Sequence, residues 1–350
     1  MIRVAVIGAG LIGRERMVAL RELRREGRPV ELSGVYDANS ALCVATAAEF
    51  GVPAFAGVEG LLRDRPDWVV IALPHDTAVE VALDVLERGL SVLLEKPMGR
   101  DLHEARQLFE AGGKRLRIGF NYRFFPGIRR ALQDVRRGAF GRLISVNFIL
   151  AHGGSPGQEK TWKLDPTRAG GGCLIDPGVH LLDLGLLLTA GQIGVVGGTS
   201  WAGLWNTGIE EEVQLLLRTA EGTSLSLQVS IVRGRSTFSL TIHGEDGYGE
   251  VLGRNRNYGP QTYRTGHRWG WRSAPNQAAS EVLVVESDGL DVFTTEMRAL
   301  LFPSASPEDA WPAPCTAHEA LEVMELLEKI RGSMGLQREF AALRLALARR

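Results

Sequence analysis

Short apolar runs and amphipathic stretches alternate over about the first 120 residues of this chain of 350. Apolar runs with few charges predict strands buried on both faces, and apolar residues at every third or fourth position predict helices between them. The predicted strands cover residues 3–7, 31–37, 52–55, 68–72, 92–94 and 117–120, and the helices cover residues 12–26, 41–50, 77–88 and 102–111, with a short helix around Leu61. Strand and helix repeated in this order predict a doubly wound parallel sheet.

The pattern changes after residue 121, where strands of alternating polarity replace the strand–helix repeat. These strands are predicted at residues 143–150, 213–219, 224–232, 236–243, 248–252 and 282–286, and helices at residues 128–137, 177–189, 290–301, 317–331 and 336–350. The dipeptides Glu221-Gly222 and Asp246-Gly247 are typical of hairpin turns, and hairpins in series predict an open, mainly antiparallel sheet. We therefore expect two domains, residues 1–121 and an α+β domain over residues 122–350, with a long loop at residues 253–280.

Charge and cysteine content narrow the class of protein. The net charge is −1, with 45% hydrophobic and 23% charged residues, so no overall field favours nucleic acid or a membrane surface, and no apolar run approaches membrane-spanning length. Three widely spaced cysteines (Cys43, Cys173 and Cys315) give neither a disulfide framework nor a zinc site and suit a reducing cytoplasm. The chain enters a predicted strand at once, so we expect no signal peptide and a cytoplasmic location.

Gly8, Gly10 and Gly13 form a G-x-G-x-x-G pattern directly after the first predicted strand. The first glycine permits a tight turn, the second lets the backbone approach a pyrophosphate, and the third lets the helix pack closely. Asp37 ends the second predicted strand, where a carboxylate accepts hydrogen bonds from the ribose hydroxyls of NAD and repels the additional phosphate of NADP. A helix cap or turn is the alternative role of Asp37. We predict NAD rather than NADP, with the loop residues Leu11 and Ile12 completing this part of the site.

Two more segments follow predicted strands. Lys96 comes one residue after the predicted strand 92–94, following Glu95, and a lysine at the carboxyl edge of an open parallel sheet is placed to touch substrate. Its alternative is a loop lysine whose head group reaches solvent. His75 follows the strand 68–72 and has a surface position as its alternative, while Asp76 and Thr77 are predicted to cap the next helix. The cofactor contacts predicted in these segments are Leu73, Pro74, His75, Glu95 and Lys96.

A third segment, residues 170–183, combines three glycines with Asp176, His180 and Asp183. Asp176 precedes a proline, which is a good helix start, so capping is its simple alternative. His180 lies one turn later on the same face of the predicted helix, and polar residues in an apolar helix need partners or a cleft. In a chain with an NAD site, we interpret a histidine one turn from an aspartate as an acid–base group.

Further substrate contacts are predicted in two loops, because a sugar needs hydrogen-bonding groups and an aromatic face. Asn121 and Arg123 follow the last strand of the first domain, and Trp162 precedes the glycine segment. Each is also compatible with ordinary loop chemistry. His152 stands alone, and one histidine does not make a metal site, so we predict no metal.

The chain resembles the glucose-fructose oxidoreductase/inositol dehydrogenase/MocA family of oxidoreductases. The resemblance rests on the glycine pattern, the Glu95-Lys96-Pro97 turn, residues 121–124 and the block 170–183, in this order along the chain. It extends to about residue 333. The lysine turn and the block 170–183 are specific, whereas the glycine pattern alone is shared by many families.

The resemblance implies an N-terminal Rossmann domain and a C-terminal domain whose open sheet forms the interface of a homodimer or homotetramer. It implies that Lys96, Asp176 and His180 face the nicotinamide together, as catalytic residues that also contact the substrate. Ala78 departs from the family, since many members carry a second histidine at that position.

We predict the reversible oxidation of a secondary alcohol on a sugar, sugar derivative or cyclitol, with NAD as the hydride acceptor. His180 is expected to take the hydroxyl proton, Lys96 to stabilise the developing alkoxide, and Asp176 to orient the substrate or the histidine. Two alternatives remain open. One is an enzyme that cleaves glycosides and retains NAD, and the other is a non-catalytic NAD-binding sensor.

Overall fold

The computed structural model describes residues 1–269, 282–283, 292–306 and 311–335. Within these residues the chain divides into two compact units. The first comprises residues 1–121, 292–306 and 311–324, and the second comprises residues 122–269, 282–283 and 325–335. The sequence predicted one boundary after residue 121, so the assignment of residues 292–306 and 311–324 to the first unit differs from the prediction. The reason is that these residues add a strand to the first sheet and a helix against its first helix.

The first unit has six strands: β1 (Ile2–Ile7), β2 (Val30–Tyr36), β3 (Trp68–Ile71), β4 (Ser91–Glu95), β5 (Leu116–Gly119) and β14 (Cys315–Thr316). They form one sheet in the order β14-β5-β4-β3-β1-β2, parallel except for the antiparallel pair of β14 and β5. The helices are α1 (Leu11–Arg25), α2 (Ser40–Phe50), α3 (Val58–Arg63), α4 (His75–Glu87), α5 (Leu102–Gly112) and α9 (Val292–Leu301). The strand order reverses beside β1, which confirms the predicted doubly wound parallel sheet.

The middle of this sheet is apolar on both faces. Val6, Val70 and Leu93 pair across three adjacent strands on one face and have 0% of their surface exposed, as do Val69 and Val92 on the other face. Side chains of a strand alternate between the two faces, so continuous burial requires cover on both sides of the sheet. This is why the strands appear in the sequence as unbroken apolar runs.

The predicted strand at residues 52–55 is instead a single parallel bridge between Val35 and Ala54. The backbone N–H of Val35 donates to the carbonyl of Pro53 at 3.0 Å, and the N–H of Phe55 donates to the carbonyl of Val35 at 2.9 Å. Proline has no N–H to extend such a ladder. The sheet therefore has no strand at this point.

The second unit has eight strands: β6 (Leu143–Ala151), β7 (Ile193–Trp201), β8 (Glu212–Thr219), β9 (Ser224–Ser230), β10 (Thr237–Gly244), β11 (Gly247–Leu252), β12 (Thr262–His267) and β13 (Val282–Leu283). They form one sheet in the order β13-β12-β11-β10-β6-β9-β8-β7, in which only β6 and β9 pair in parallel. The helices of this unit are α6 (Pro126–Arg136), α7 (Pro166–Ala169) and α8 (Val179–Thr189), and α10 (Ala317–Met334) ends in it. The predicted open, mainly antiparallel sheet is confirmed.

Two strands of this sheet were not predicted. β7 contains Gly194, Gly197 and Gly198, and glycine weakens the alternating pattern by which a strand is recognised. β12 lies inside the predicted loop 253–280, and its Tyr263 is fully buried. The rest of that predicted loop from residue 270, and the predicted helix 336–350, lie outside the described residues. Among the described helices, none is both long and apolar enough to cross a membrane.

Candidate functional site

Each of the three glycines between β1 and α1 suits its position for a different structural reason. Gly8 has φ +100°, and a Cβ on it would lie 2.3 Å from the carbonyl oxygen of Ala72. A Cβ on Gly13 would lie 1.8 Å from the carbonyl oxygen of Gly8, so α1 can pack on this turn only through glycine. Gly10 has φ −68°, and a Cβ there would meet nothing within 4 Å. The first and third glycines are thus required by packing, and the second leaves open space.

That open space lies at the amino end of α1, a helix of 15 residues. Gly10 is the N-cap residue, and no side chain caps the helix there. The free N–H groups of a first helical turn and the positive end of the helix dipole attract phosphate groups. The geometry of the loop therefore fits a pyrophosphate, and adding a Cβ at Gly10 would fill the approach.

Asp37 is bound to the same loop. Its Oδ2 accepts a hydrogen bond from the N–H of Ala9 at 2.7 Å, and its Oδ1 accepts from the N–H of Asn39 at 2.8 Å. Asn39, not Asp37, caps α2, because the N–H of Leu42 donates to its side chain at 3.1 Å. The helix-cap alternative for Asp37 is therefore wrong, but the turn alternative is confirmed, because the bond from Asn39, two residues further on, is that of an Asx turn. Each carboxylate oxygen can accept a further hydrogen bond, which fits the ribose hydroxyls of NAD.

Two apolar side chains lie exposed beside this loop. Leu11 is 68% exposed and Ile12 is 36% exposed, at the start of α1. Large apolar side chains at the rim of a ligand site lose their contact with water when the ligand binds, which is favourable. Their predicted contact with the cofactor stays a prediction.

The loop after β3 differs from its predicted form. The N-cap residue of α4 is Pro74, which cannot cap with a side chain, and α4 begins at His75. Asp76 and Thr77 therefore lie in the first turn and do not cap, although the Thr77 hydroxyl donates to the carbonyl of Pro74 at 3.1 Å. His75 is buried, so its surface alternative is wrong. Leu73 and Pro74 are half-buried at the same edge of the sheet.

Glu95 ends β4 and faces a buried arginine. Its Oε1 accepts from Nε of Arg16 at 2.7 Å, and Arg16 also lies 2.5 Å from a carboxylate oxygen of Glu296. Burial disfavours the charge of Arg16, but the two carboxylates outweigh it and raise its pKa. The side chain of Glu95 is therefore already engaged within the unit. A direct contact of this carboxylate with the cofactor, as predicted, would compete with that ion pair.

Lys96 comes next, half-buried at the carboxyl end of β4, and the Lys96–Pro97 peptide is cis. Gly8, Leu73 and Lys96 follow β1, β3 and β4, three neighbouring parallel strands. The carboxyl ends of parallel strands lie at one edge of a sheet, where open α/β sheets bind their ligands. The lysine thus lies at the same edge as the glycine loop.

In the second unit, close contacts explain two of the glycines at residues 170–172. A Cβ on Gly171 would lie 2.3 Å from a guanidinium nitrogen of Arg331, which donates to the carbonyl of Gly170 at 2.7 Å. A Cβ on Gly172 would lie 1.9 Å from the carbonyl oxygen of Glu210. Gly171 and Gly172 let the chain pass close to these groups before it enters α8.

Asp176 does not cap that helix. α8 begins at Val179 with Gly178 as its N-cap, and the Asp176–Pro177 peptide is cis. Both the capping alternative and the expected shared helical face with His180 are therefore wrong. The Asp176 carboxylate, 12% exposed, instead accepts from Nζ of Lys163 at 3.0 Å. Its negative charge raises the pKa of Lys163, a residue the predicted site did not include.

His180 lies on the first turn of α8 and is 4% exposed. Its ring stacks on that of Tyr122, with the centroids 3.8 Å apart and the planes inclined by 9°. Burial raises the pKa of Tyr122, so its hydroxyl stays protonated. Another neighbour of Tyr122 is Arg254, whose guanidinium carbon lies 4.7 Å from the ring centroid. Arg254 was not predicted, and nothing in its spacing along the chain links it to Tyr122 or His180.

Arg123 belongs to the core of the second unit. It binds the carboxylate of Asp183 through Nε at 2.9 Å, and both side chains are 1% exposed. This pair explains the acidic residue inside an apolar helix, and it conflicts with the prediction that Arg123 contacts substrate. A fully buried guanidinium already bound to a carboxylate has no surface to offer.

The remaining predicted residues lie near the surface. Asn121 begins a 3₁₀ turn and is half-buried, and Trp162 is half-buried with Nζ of Lys163 5.8 Å from its ring centroid. His152 accepts from the N–H of Gly154 through Nδ1 at 3.0 Å, and burial lowers its pKa. No cluster of histidine, cysteine and acidic side chains able to hold a metal ion occurs in residues 1–269, 282–283, 292–306 and 311–335.

Comparison with known proteins finds two matching family models. Residues 2–120 match the model described as an oxidoreductase family with an NAD-binding Rossmann fold, and residues 128–250 match the GFO/IDH/MocA C-terminal domain. The chain is 31% identical over 271 residues to a putative UDP-kanosamine synthase oxidoreductase subunit of Amycolatopsis mediterranei, covering 71% of this chain and 74% of that protein. It is 25% identical over 282 residues to levoglucosan dehydrogenase of Pseudarthrobacter phenanthrenivorans, covering 70% and 72% respectively.

Among solved structures, GenD2 from gentamicin A biosynthesis, in complex with NAD, has a TM-score of 0.75 and 25% sequence identity to this chain. The match covers 95% of this chain and 94% of GenD2.

Proposed function

This chain belongs to the Gfo/Idh/MocA family of NAD-binding oxidoreductases, and we propose that it transfers a hydride between NAD and a secondary alcohol of a sugar, sugar derivative or cyclitol. The observation that carries the proposal is the position of Lys96 at the carboxyl edge of the NAD-binding sheet, next to the strand that ends at Ile71. An ammonium group at this edge is suited to stabilise an alkoxide that forms during hydride transfer.

We assign the catalytic roles as the family resemblance implies. NAD, when bound, supplies the hydride acceptor. Lys96 donates a hydrogen bond to the reacting oxygen, and the hydroxyl proton moves to the imidazole of His180. Asp176 orients the substrate or the histidine, and its ion pair with Lys163 at 3.0 Å supports a fixed carboxylate position.

NAD is preferred over NADP for a reason of charge. The carboxylate of Asp37 lies against the glycine loop, 2.7 Å from the N–H of Ala9. A negative charge at this point favours the two ribose hydroxyls of NAD and repels the additional phosphate of NADP. We therefore expect NADP to bind more weakly.

The reaction is tested with the purified chain, NAD, and a panel of hexoses, inositols, sugar acids, sugar phosphates and sugar nucleotides. A dehydrogenase accumulates NADH, which is followed by its absorbance. An enzyme that cleaves glycosides and retains NAD produces no net NADH but releases the aglycone. A sensor binds NAD and does neither, and that result with every compound would overturn the proposal.

The role of Lys96 is tested with Lys96→Ala. Removing a group that stabilises charge in the transition state lowers kcat by roughly 100- to 1,000-fold. We expect NAD affinity, measured by calorimetry, to stay close to that of the unmodified chain. Lys114→Ala is the matched control, because Lys114 is an exposed lysine of the same unit outside the proposed site. Full turnover in Lys96→Ala would contradict the assigned role.

Oligomeric state and location are further parts of the proposal. Leu216 and Trp201, on β8 and β7, are 47% and 53% exposed on the outer face of the second sheet, which supports a homodimer or homotetramer through that face. Sedimentation analysis of the full chain tests this. The three cysteines are buried and free, which supports the reducing cytoplasm as the location.

A further inference from the structure

Arg254 lies near the proposed catalytic histidine, and no acidic side chain among the described residues forms an ion pair with it. It follows β11, and its guanidinium carbon lies 4.3 Å from the ring centroid of Tyr258, 4.7 Å from that of Tyr122 and 5.5 Å from that of Phe125. Within the ranges that the structure describes, Arg254 makes no hydrogen bond and no ion pair, and its Nε is buried. Three aromatic rings thus fix the guanidinium group without satisfying its donors.

The neighbouring charges in the same unit are balanced. Lys163 pairs with Asp176 at 3.0 Å, and Arg123 pairs with Asp183 in the core. Arg254 is half-buried, and its Nε is buried without an acceptor, while its other donors still reach solvent. A partly desolvated cation gains from an anionic partner, and stacking on rings compensates only in part. Among the described residues Arg254 has no counter-ion, although Lys163 and Arg123 each have one.

The position of Arg254 relates it to the proposed chemistry. Tyr122 contacts both Arg254, at 4.7 Å, and the imidazole of His180, at 3.8 Å. Guanidinium and imidazole are therefore both in contact with the ring of the same tyrosine. The charge of Arg254 also acts on His152, as does that of Asp176, which places all of these groups in one neighbourhood of the second unit.

The guanidinium group has a preferred kind of ligand. It presents its donors in a flat fork that matches the two oxygens of a carboxylate or phosphate, and it is already oriented by stacking. A neutral sugar hydroxyl uses only one of those donors. The unpaired fork therefore favours an anionic group over a neutral one.

We propose that Arg254 binds a carboxylate or phosphate carried by the substrate, so that the oxidised alcohol belongs to an anionic sugar or cyclitol derivative. This inference rests on the proposed function, because it places the anion subsite beside His180. It names a class of substrate that the family alone does not, since neutral sugars and cyclitols would leave Arg254 without a counter-ion.

The test is direct binding to the full chain in the presence of NADH, measured by calorimetry with glucose, glucuronate and glucose 6-phosphate. These three differ only in a hydroxymethyl, a carboxylate or a phosphate at one carbon. We expect at least one anionic sugar to bind tenfold or more tightly than glucose, and the better of the two identifies the anion. Equal binding of all three would overturn the proposal.

Variants separate an anion subsite from a packing role. Arg254→Met keeps the apolar contact with the rings but removes the charge, so the preference for the anion should disappear while NADH affinity is retained. Arg254→Lys keeps the charge without the fork and should retain part of the preference. Arg264→Met removes the same charge from an exposed position on β12 and should change nothing. An unchanged preference in Arg254→Met would refute the assignment.

The proposed anion subsite and the proposed dehydrogenase function can fail independently of each other. If the anionic sugar binds through Arg254 but no compound of the panel yields NADH, the subsite stands and the proposed dehydrogenase function falls. If neutral sugars are oxidised and the anionic ones bind no better, the function stands and the subsite falls. Thermal denaturation of each variant shows that it is folded.

Discussion

Gly10→Ala separates the folding role of the glycine loop from its binding role. The backbone at Gly10 has φ −68° and ψ −171°, which an alanine adopts without strain. The new Cβ would meet no atom within 4 Å in the folded chain. It would, however, occupy the space through which a pyrophosphate approaches the amino end of α1. The substitution should therefore leave the fold intact and weaken NAD binding.

The expected change in the free energy of unfolding and the expected change in the free energy of NAD binding differ enough to be measured separately. Alanine is a poorer N-cap than glycine, but it reduces the freedom of the unfolded chain, so the two effects offset and the free energy of unfolding should change by less than about 1 kcal/mol. Displacement of the pyrophosphate from the backbone should cost at least about 1.4 kcal/mol of NAD binding free energy, which is roughly tenfold in Kd.

Gly13→Ala gives the contrasting result. Its Cβ would lie 1.8 Å from the carbonyl oxygen of Gly8, which is backbone and cannot yield without moving α1. We expect this variant to lose stability even without NAD. Denaturant unfolding without cofactor and fluorescence titration with NADH are measured for both variants. Wild-type NADH affinity in a folded Gly10→Ala would refute the placement of the pyrophosphate.

Two further substitutions test ion pairs of the second unit. Arg123→Met leaves the buried carboxylate of Asp183 uncompensated and should lower the free energy of unfolding by about 3–5 kcal/mol in urea denaturation; the double variant with Asp183→Leu should recover most of the loss. Hydrogen bonds from Arg233 first of all lower the pKa of Glu212 from 4.5 to about 2. This depressed pKa stabilises the fold above pH 4.5 and is lost as pH falls towards 2. Because Arg233 is 43% exposed, Glu212→Gln should lower the free energy of unfolding by only about 1 kcal/mol at neutral pH. If this difference from the unmodified chain stayed the same at low pH, the account would be contradicted.

The sequence could predict the first sheet and its glycine loop because their causes are local. The strands are apolar on both faces and the glycines follow β1 directly, so pattern and spacing contain the information. Residues 52–55 were predicted as a strand because most of them are apolar. Pro53 has no N–H to donate, and only a single bridge between Val35 and Ala54 forms. Likewise, β7 was missed because its glycines weaken the alternation.

The polar groups of the second unit could be predicted only in part. Asp176, His180 and Asp183 are unusual in their segment and were recognised as candidates for function. Their partners are not adjacent in sequence: Lys163 lies in an earlier loop and Arg123 in the turn after β5. Pairing at such separations depends on the tertiary fold, which periodicity does not encode. For that reason Arg123 was interpreted as a substrate contact.

The buried ion pairs of Arg16 show how one side chain of the first unit links two parts of the proposed site. Arg16 lies on α1, the helix that begins at the glycine loop, and Glu95 directly precedes Lys96. Glu296 of α9 supplies the second carboxylate, and both Arg16 and Glu296 have no exposed surface. A buried ion pair often adds little net stability, because desolvation offsets attraction. The effect of the ion pairs on geometry is larger than their effect on stability. Because the guanidinium group is bound by carboxylates on both sides, it fixes the position of α1 relative to the end of β4. The glycine loop and the lysine are therefore fixed with respect to each other before any cofactor binds, which is what alignment for hydride transfer demands.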